Sequence, residues 1–268
     1  MDRSITEEAV KQMKLFDIVN YLQLTIYPPG GSDALDFWIQ ETSINVKSII
    51  LDVGCSTGFF SRYIAQKTGC MGYGIDIDPN AISAAEELKD KAKLTHLLSY
   101  SVQDVSRLYI EGSLKFSHIL FANALAFVKE NDRPKAISLM SHYLNDHGFL
   151  LVNSFFYERQ PDPKILEELY SMCDLKVSKH HDYAYYNALF ESHFRLVTEG
   201  DLVDISSYRC TSDILRENIR ESLRRSIKFQ SLPNNIQRSL HERLLEIRLQ
   251  ANENQRYLNS KVQIWEKY

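Results

Sequence analysis

Between Ser48 and Phe155 the sequence alternates short apolar, β-branched runs with amphipathic stretches, and that rhythm leaves few folds open. Ser48 to Val53, Cys70 to Ile75, Leu97 to Val102, Phe116 to Ala122 and Phe149 to Phe155 read as strands. Gly58 to Lys67, Pro79 to Lys93 and Pro134 to Leu144 read as helices between them; Pro79 suits a first helical position and His147-Gly148 suits a stop after the third. Strands apolar throughout need cover on both faces, and a helix between successive strands brings the next one back parallel. The pattern predicts an α/β fold with a doubly wound parallel sheet.

The flanks break the rhythm. From Ile5 to Leu24, apolar residues at helical spacing suggest one or two amphipathic helices, stopped by Tyr27-Pro28-Pro29-Gly30-Gly31. Ser32 or Asp33 could cap the next helix, which runs through Gln40. Beyond the alternation, helices are expected at Pro163 to Cys173 and Ala184 to Ser192, a strand at Phe194 to Ile205, helices at Asp213 to Phe229 and Asn235 to Glu253, and a last strand at Leu258 to Trp265. The division that follows is a helical lid (1–45), a core (46–156), a Tyr-rich cap (157–193), and late strands (194–268) with an inserted helical pair (211–254).

A chain of 268 residues, 44% hydrophobic and 25% charged, can bury a full-sized core. Its net charge of -4 lacks the broad positive footprint of duplex-binding proteins, which disfavours a nucleic-acid partner. The four cysteines form neither a CxxC pair nor a metal-spaced cluster, so reduced thiols and no metal are expected. No basic stretch followed by an apolar run opens the chain, and no segment has the ~20 apolar residues of a spanning helix. A cytoplasmic location without membrane attachment is expected.

The segment Ile50-Leu51-Asp52-Val53-Gly54-Cys55-Ser56-Thr57-Gly58 carries the chemistry. A strand that enters a glycine turn and then a helix lets a ligand approach the backbone closely. A dinucleotide fingerprint needs glycine at its first, third and sixth positions, but Ser56 stands at the third. Asp52 inside the strand end would repel a pyrophosphate and welcome an ammonium group. This run resembles the first motif of the class I S-adenosylmethionine (SAM)-dependent methyltransferases. The resemblance continues through residues 46–156 and implies a Rossmann-like, seven-stranded α/β sheet with helical cap insertions. It implies SAM as cofactor, S-adenosylhomocysteine as product, and cofactor contacts from Asp52, Gly54, Cys55, Ser56 and Gly58. Asp76 follows the glycine turn at the ~20-residue separation at which an acid reaches ribose hydroxyls. Ile77 is expected on the adenine face, and Gln103, Asp104 and Val105 beside the adenine edge. Asn123 ends the fourth strand, where open α/β sheets place ligands. Asp104 also reads as a cap, and Asn123 as turn support. Asp78-Pro79 looks like a helix start.

The acceptor is expected to be a small molecule, held by Tyr27, Phe156, Tyr157, Tyr183 and Tyr186, whose rings suit a planar, apolar or cationic body. His180 or His181 is the candidate base if the nucleophile must lose a proton. Arg216, Arg220 and Arg224 could form an anionic or RNA patch, but Glu217 and Glu221 interleave with them and favour helix salt bridges. The competing readings are an RNA methyltransferase and a non-catalytic SAM-binding scaffold; the assembly is expected to be a monomer or homodimer.

Overall fold

The structure, a computed structural model, describes residues 5–27, 29–177, 180–201 and 211–268. Its centre is a seven-stranded sheet: β1 (Ile49–Val53), β2 (Met71–Asp76), β3 (Leu98–Val102), β4 (Phe116–Ala122), β5 (Leu144–Tyr157), β6 (Phe194–Gly200) and β7 (Leu258–Lys267). The order is β3-β2-β1-β4-β5-β7-β6. Strands β1 to β5 pair in parallel, and β7 pairs antiparallel with both β5 and β6. The direction in which successive strands are added across the sheet reverses between β1 and β4, the switch point at which open α/β sheets form a crevice beyond their carboxyl ends.

Helices cover both faces. They are α1 (Glu7–Gln12), α2 (Leu15–Leu22), α3 (Gly31–Glu41), α4 (Phe59–Thr68), α5 (Pro79–Lys91), α6 (Arg133–Tyr143), α7 (Pro163–Cys173), α8 (Tyr183–Glu191), α9 (Ser212–Arg225), α10 (Ile227–Gln230) and α11 (Asn234–Asn254). One core buries Phe116, Phe121, Met140, Phe190 and Trp265; the other face packs Trp38, Ile50, Ile64 and Leu120. A third apolar cluster lies outside the sheet, where Ile18, Val19 and Leu22 of α2 meet Ile219 and Leu223 of α9 and Leu240 and Leu244 of α11. The lid and the inserted pair are therefore one body. Arg243 donates to the Met13 carbonyl at 2.9 Å and Ser226 to that of Leu22 at 2.7 Å, which locks the two distant stretches together.

Several boundaries depart from the sequence expectations. Helix α3 starts behind Gly30 at φ 82 without a side-chain cap, so neither Ser32 nor Asp33 serves that role. Helix α6 passes directly into β5 at Leu144, with His147 in the left-handed region at φ 59 inside the strand. The helix expected over Asp213 to Phe229 breaks at Ser226, which is extended; its hydroxyl accepts from the Phe229 amide at 3.1 Å and starts a new turn. Strand β6 spans Phe194–Gly200, and residues 202–205 of the expected strand lie outside the described residues. The arginines of α9 pair as the interleaved glutamates suggest: Arg220 and Arg224 with Glu217, and Arg225 with Glu221.

Trp265 is completely buried on β7 against Phe190 and closes the core only when the last strand inserts. Trp265→Ala is expected to cost about 3–5 kcal/mol of unfolding free energy. Urea denaturation checks this, and a loss under about 1 kcal/mol would show that β7 is not part of the cooperative core.

Candidate functional site

The carboxyl ends of β1, β2, β3 and β4 open into a cavity of about 650 Å³. Gly54 follows β1 at φ 71, and a Cβ there would stand 2.7 Å from that of Ala124, so only glycine lets the two turns come so close. Gly58 ends the loop at φ 75, with the Tyr100 ring against its α-carbon. Ser56, where a dinucleotide motif has glycine, also adopts a left-handed conformation at φ 48.

Most of the amides of this turn are used within the protein. The amides of Gly54 and Cys55 donate to the Ile75 carbonyl at 2.8 and 3.0 Å, and that of Gly58 to Cys55 at 2.7 Å. The Ser56 amide donates to Asp76 Oδ2 at 2.9 Å. Asp52 is 1% exposed and accepts from the Ser61 amide in the first turn of α4 at 3.1 Å. It is absent from the cavity wall, and its carboxylate braces the turn from behind it. Burial, against the Ser61 hydrogen bonds, pushes Asp52 up to about 6. Gly58 likewise stands behind the wall.

Asp76 lies in the wall, its other oxygen accepting from the Asp78 amide at 3.0 Å, and burial raises its pKa. Gly54, Cys55, Ser56, Ile77, Gln103, Asp104, Val105 and Asn123 also line the cavity. Asp104 accepts from the amide and hydroxyl of Ser106, both at 2.8 Å, so its capping and wall positions coexist. Asp78 caps α5, as its place before Pro79 suggests, and also accepts from Asn20 Nδ2 of α2 at 2.6 Å. Asn20, which sequence reasoning did not single out, brings the lid over the cavity; its Oδ1 and the Ser56 hydroxyl are buried without a partner.

A second cavity of about 420 Å³ lies between the sheet edge and helices α2, α7, α9 and α11. Phe16, Ile26, Tyr27, Asn123, Phe127 and Cys173 line both cavities and form the neck between them. Phe16 and Phe127 meet edge to face at 5.1 Å. Asn123 is held there in a left-handed turn at φ 55; its amide donates to the Asn153 carbonyl at 2.7 Å and its Oδ1 accepts from the Phe155 amide at 3.3 Å. Asn153, fully buried, donates to the Pro29 carbonyl at 2.6 Å and fastens the Tyr27 loop to β5.

The aromatic expectations divide. Tyr27, Tyr157 and Tyr186 line the second cavity; Phe156 is packed in the sheet core, and Tyr183 donates to Glu199 at 2.5 Å, away from either wall. The rest of that wall is mainly aliphatic. Neither histidine reaches a cavity. His180 is exposed; His181 is 1% exposed, accepts from Arg133 at 2.7 Å and stacks on Tyr185. Burial, and then the Arg133 charge, push His181 down to about 4, so it is a neutral acceptor for the buried guanidinium. Sequence reasoning could not see that Arg133, from α6, claims one of the two rings. Among the described residues, no group of three His, Cys, Asp or Glu side chains could hold a metal ion, and no helix is long and apolar enough to cross a membrane.

Residues 50–148 match the family model of a methyltransferase domain. The crystal structure of MccD protein is 30% identical, superposes with a TM-score of 0.71, and the match covers 90% of this chain and 99% of that one. A SAM-dependent methyltransferase from Thiobacillus denitrificans, solved with S-adenosyl-L-homocysteine, shares the fold at 15% identity and a TM-score of 0.66, covering 96% of this chain and all of that one (100%). The phosphoethanolamine N-methyltransferase of Plasmodium falciparum is 24% identical over 151 residues, 56% of this chain and 53% of that protein. Of the curated relatives it matches, the chain spans 59%, 29% and 53% of their length. The chain belongs to the class I SAM-dependent methyltransferases, an enzyme family that draws its methyl group from SAM. The first cavity fits that donor: it combines a ribose-height carboxylate, orphaned polar atoms on Ser56 and Asn20, and a glycine approach at 54.

Because Asp52 is raised from 3.8 to about 6, its stabilising contribution is fully present below about pH 4 and is lost as pH rises through 6. Asp52→Asn removes that loss, so its stability relative to wild type is expected to rise by ~3 kcal/mol between about pH 4 and pH 7. Urea unfolding of both proteins across that range tests the burial of this carboxyl; a constant difference would refute it.

Proposed function

We propose that this chain methylates a small molecule held in the second cavity, with SAM in the first and transfer through the neck between them. The observation that carries this reading is the shared wall. Two chambers that meet at Asn123 and the Phe16, Tyr27 and Phe127 rings offer one place where a methyl group can pass. The small-molecule acceptor of the phosphoethanolamine relative supports the same class of substrate.

SAM, when bound, supplies a methyl group already activated on a sulfonium, so transfer is an in-line displacement to which positioning contributes much of the acceleration. Asp76 accepts the ribose hydroxyls through lone pairs left over from its two backbone donors. Gln103, Asp104 and Val105 border the adenine, with Ile77 against its face. The aromatic rings at the neck would suit a positive centre, and the packed helices α2, α9 and α11 would exclude water. His180 and His181 have no part in this reading, because neither wall includes them.

Incubation with tritiated SAM and fractionated small-molecule extracts tests the reading; label recovered only in macromolecules would sink it. Asp76→Ala is expected to weaken SAM binding at least ~10-fold, about 1.4 kcal/mol, by calorimetry. Asp76→Asn, which keeps an acceptor for the Ser56 amide, should lose less. Unchanged affinity in both would remove Asp76 from the site.

A further inference from the structure

The polar face of α2 carries an unused hydrogen-bond acceptor above the first cavity. Asn20 is buried, 6% exposed, and its Nδ2 donates to Asp78 Oδ2 at 2.6 Å. The other Asp78 oxygen accepts from the Asn80 amide at 2.8 Å. A carboxylate only accepts, so this pairing fixes which way the Asn20 amide faces: its nitrogen toward Asp78 and its Oδ1 away. That Oδ1 is buried without a partner, in a residue that lines the cavity. A buried carbonyl oxygen left unpaired is costly, and the group that answers it must be an O–H or N–H.

The surroundings of that oxygen select a hydroxyl. The Ser56 amide donates to Asp76 Oδ2 at 2.9 Å, the Asp78 amide to Asp76 Oδ1 at 3.0 Å, and Asn20 to Asp78, so one run of hydrogen bonds joins Ser56, Asp76, Asp78 and Asn20 at the end of β2. The Ser56 hydroxyl, also buried without a partner, stands at the far end of the same run. In the reading above this is the ribose end of the site, whereas the adenine is bordered by Gln103, Asp104 and Val105, which follow β3. The ribose of SAM brings two hydroxyl groups, and each oxygen of Asp76 already accepts a backbone amide. A second acceptor beside that carboxylate completes the set.

Resting on SAM occupying the first cavity, we propose that Asn20 shares the ribose with Asp76: one hydroxyl donates to the Asp76 carboxylate and the other to Asn20 Oδ1, while Asp78 holds the Asn20 amide in place. The consequence reaches the second cavity. Helix α2 sends Asp17 and Asn20 into the wall of the first cavity, Leu15 and Val19 into that of the second, and Phe16 into both. A nucleoside that bonds Asn20 only when α2 is docked favours the docked helix by the strength of that bond. The cofactor thereby helps to assemble the wall against which the methyl acceptor packs, and it binds before the acceptor.

The test compares S-adenosylhomocysteine with its 2′-deoxy and 3′-deoxy analogues by calorimetry, on the unaltered chain and on Asn20→Ala. In the unaltered chain, loss of either hydroxyl is expected to weaken binding at least ~5-fold. In Asn20→Ala one of these two penalties should shrink below ~2-fold, while the other, which belongs to Asp76, persists. Hydrogen exchange on the unaltered chain gives a reading that needs no variant: S-adenosylhomocysteine should slow exchange over Leu15–Leu22, and one of the two deoxy analogues should slow it less than the other. Hydroxyl losses that cost nothing in the unaltered chain, two penalties unchanged in Asn20→Ala, an equal loss of affinity for all three ligands in that variant, or exchange over α2 indifferent to the ligand would overturn the proposal and leave SAM binding standing. A folded chain that binds none of the three would overturn the SAM reading with it.

Discussion

Two buried carboxylates hold the turn on which the site depends. Asp52, at the end of β1, reaches forward to the Ser61 amide in α4, and Asp76, at the end of β2, reaches sideways to the Ser56 amide. Together with the Ile75 carbonyl, which accepts from the Gly54 and Cys55 amides, they hold a loop that runs through three left-handed residues, Gly54, Ser56 and Gly58. Burying both acids raises their pKa values, which is a cost to folding near neutral pH. The cost is local, and the sheet around it is apolar enough to offset it. What the fold gains is a backbone that passes within contact of Ala124 and leaves one acid facing a ligand.

The second organising feature is distance in sequence brought to nothing in space. The short helices α1 and α2 have too little apolar surface to stand alone, and α9 and α11 are inserted between β6 and β7 with an apolar face turned away from the sheet. Each supplies what the other lacks. Their union creates both the roof of the first cavity, through Asn20, and the wall of the second, through Val19, Ile219 and Leu244. The same packing explains why the α9 helix breaks at Ser226. Its hydroxyl finds a buried carbonyl at Leu22 to bond, and continuing the helix would forfeit that bond.

How much of this was legible depended on the range over which each residue acts. The glycine turn, Asp76, and the strand-end positions of Asp104 and Asn123 follow from local pattern, because a strand end and a tight turn are set by a few neighbouring residues. The dual position of Asp104, cap and wall, was visible as two alternatives and turned out to be both. Asn20 carried no signal: a single asparagine on an amphipathic helix gains its importance only when α2 lands beside Asp78. His181 misled for the converse reason. Its segment does approach the second cavity through Tyr157 and Tyr186, but the imidazole turns toward Arg133 because that buried guanidinium needs acceptors.

By itself the sequence determined the succession of strands and helices along the chain and the glycine turn after the first strand, since periodicity and turn chemistry act within a few residues of their cause. Only the tertiary structure decided which side chains wall the second cavity and that Asp52 braces the turn from behind the wall of the first. Those outcomes are settled by burial and by contacts between segments far apart in the chain, and such contacts leave no mark on the residues until the segments meet.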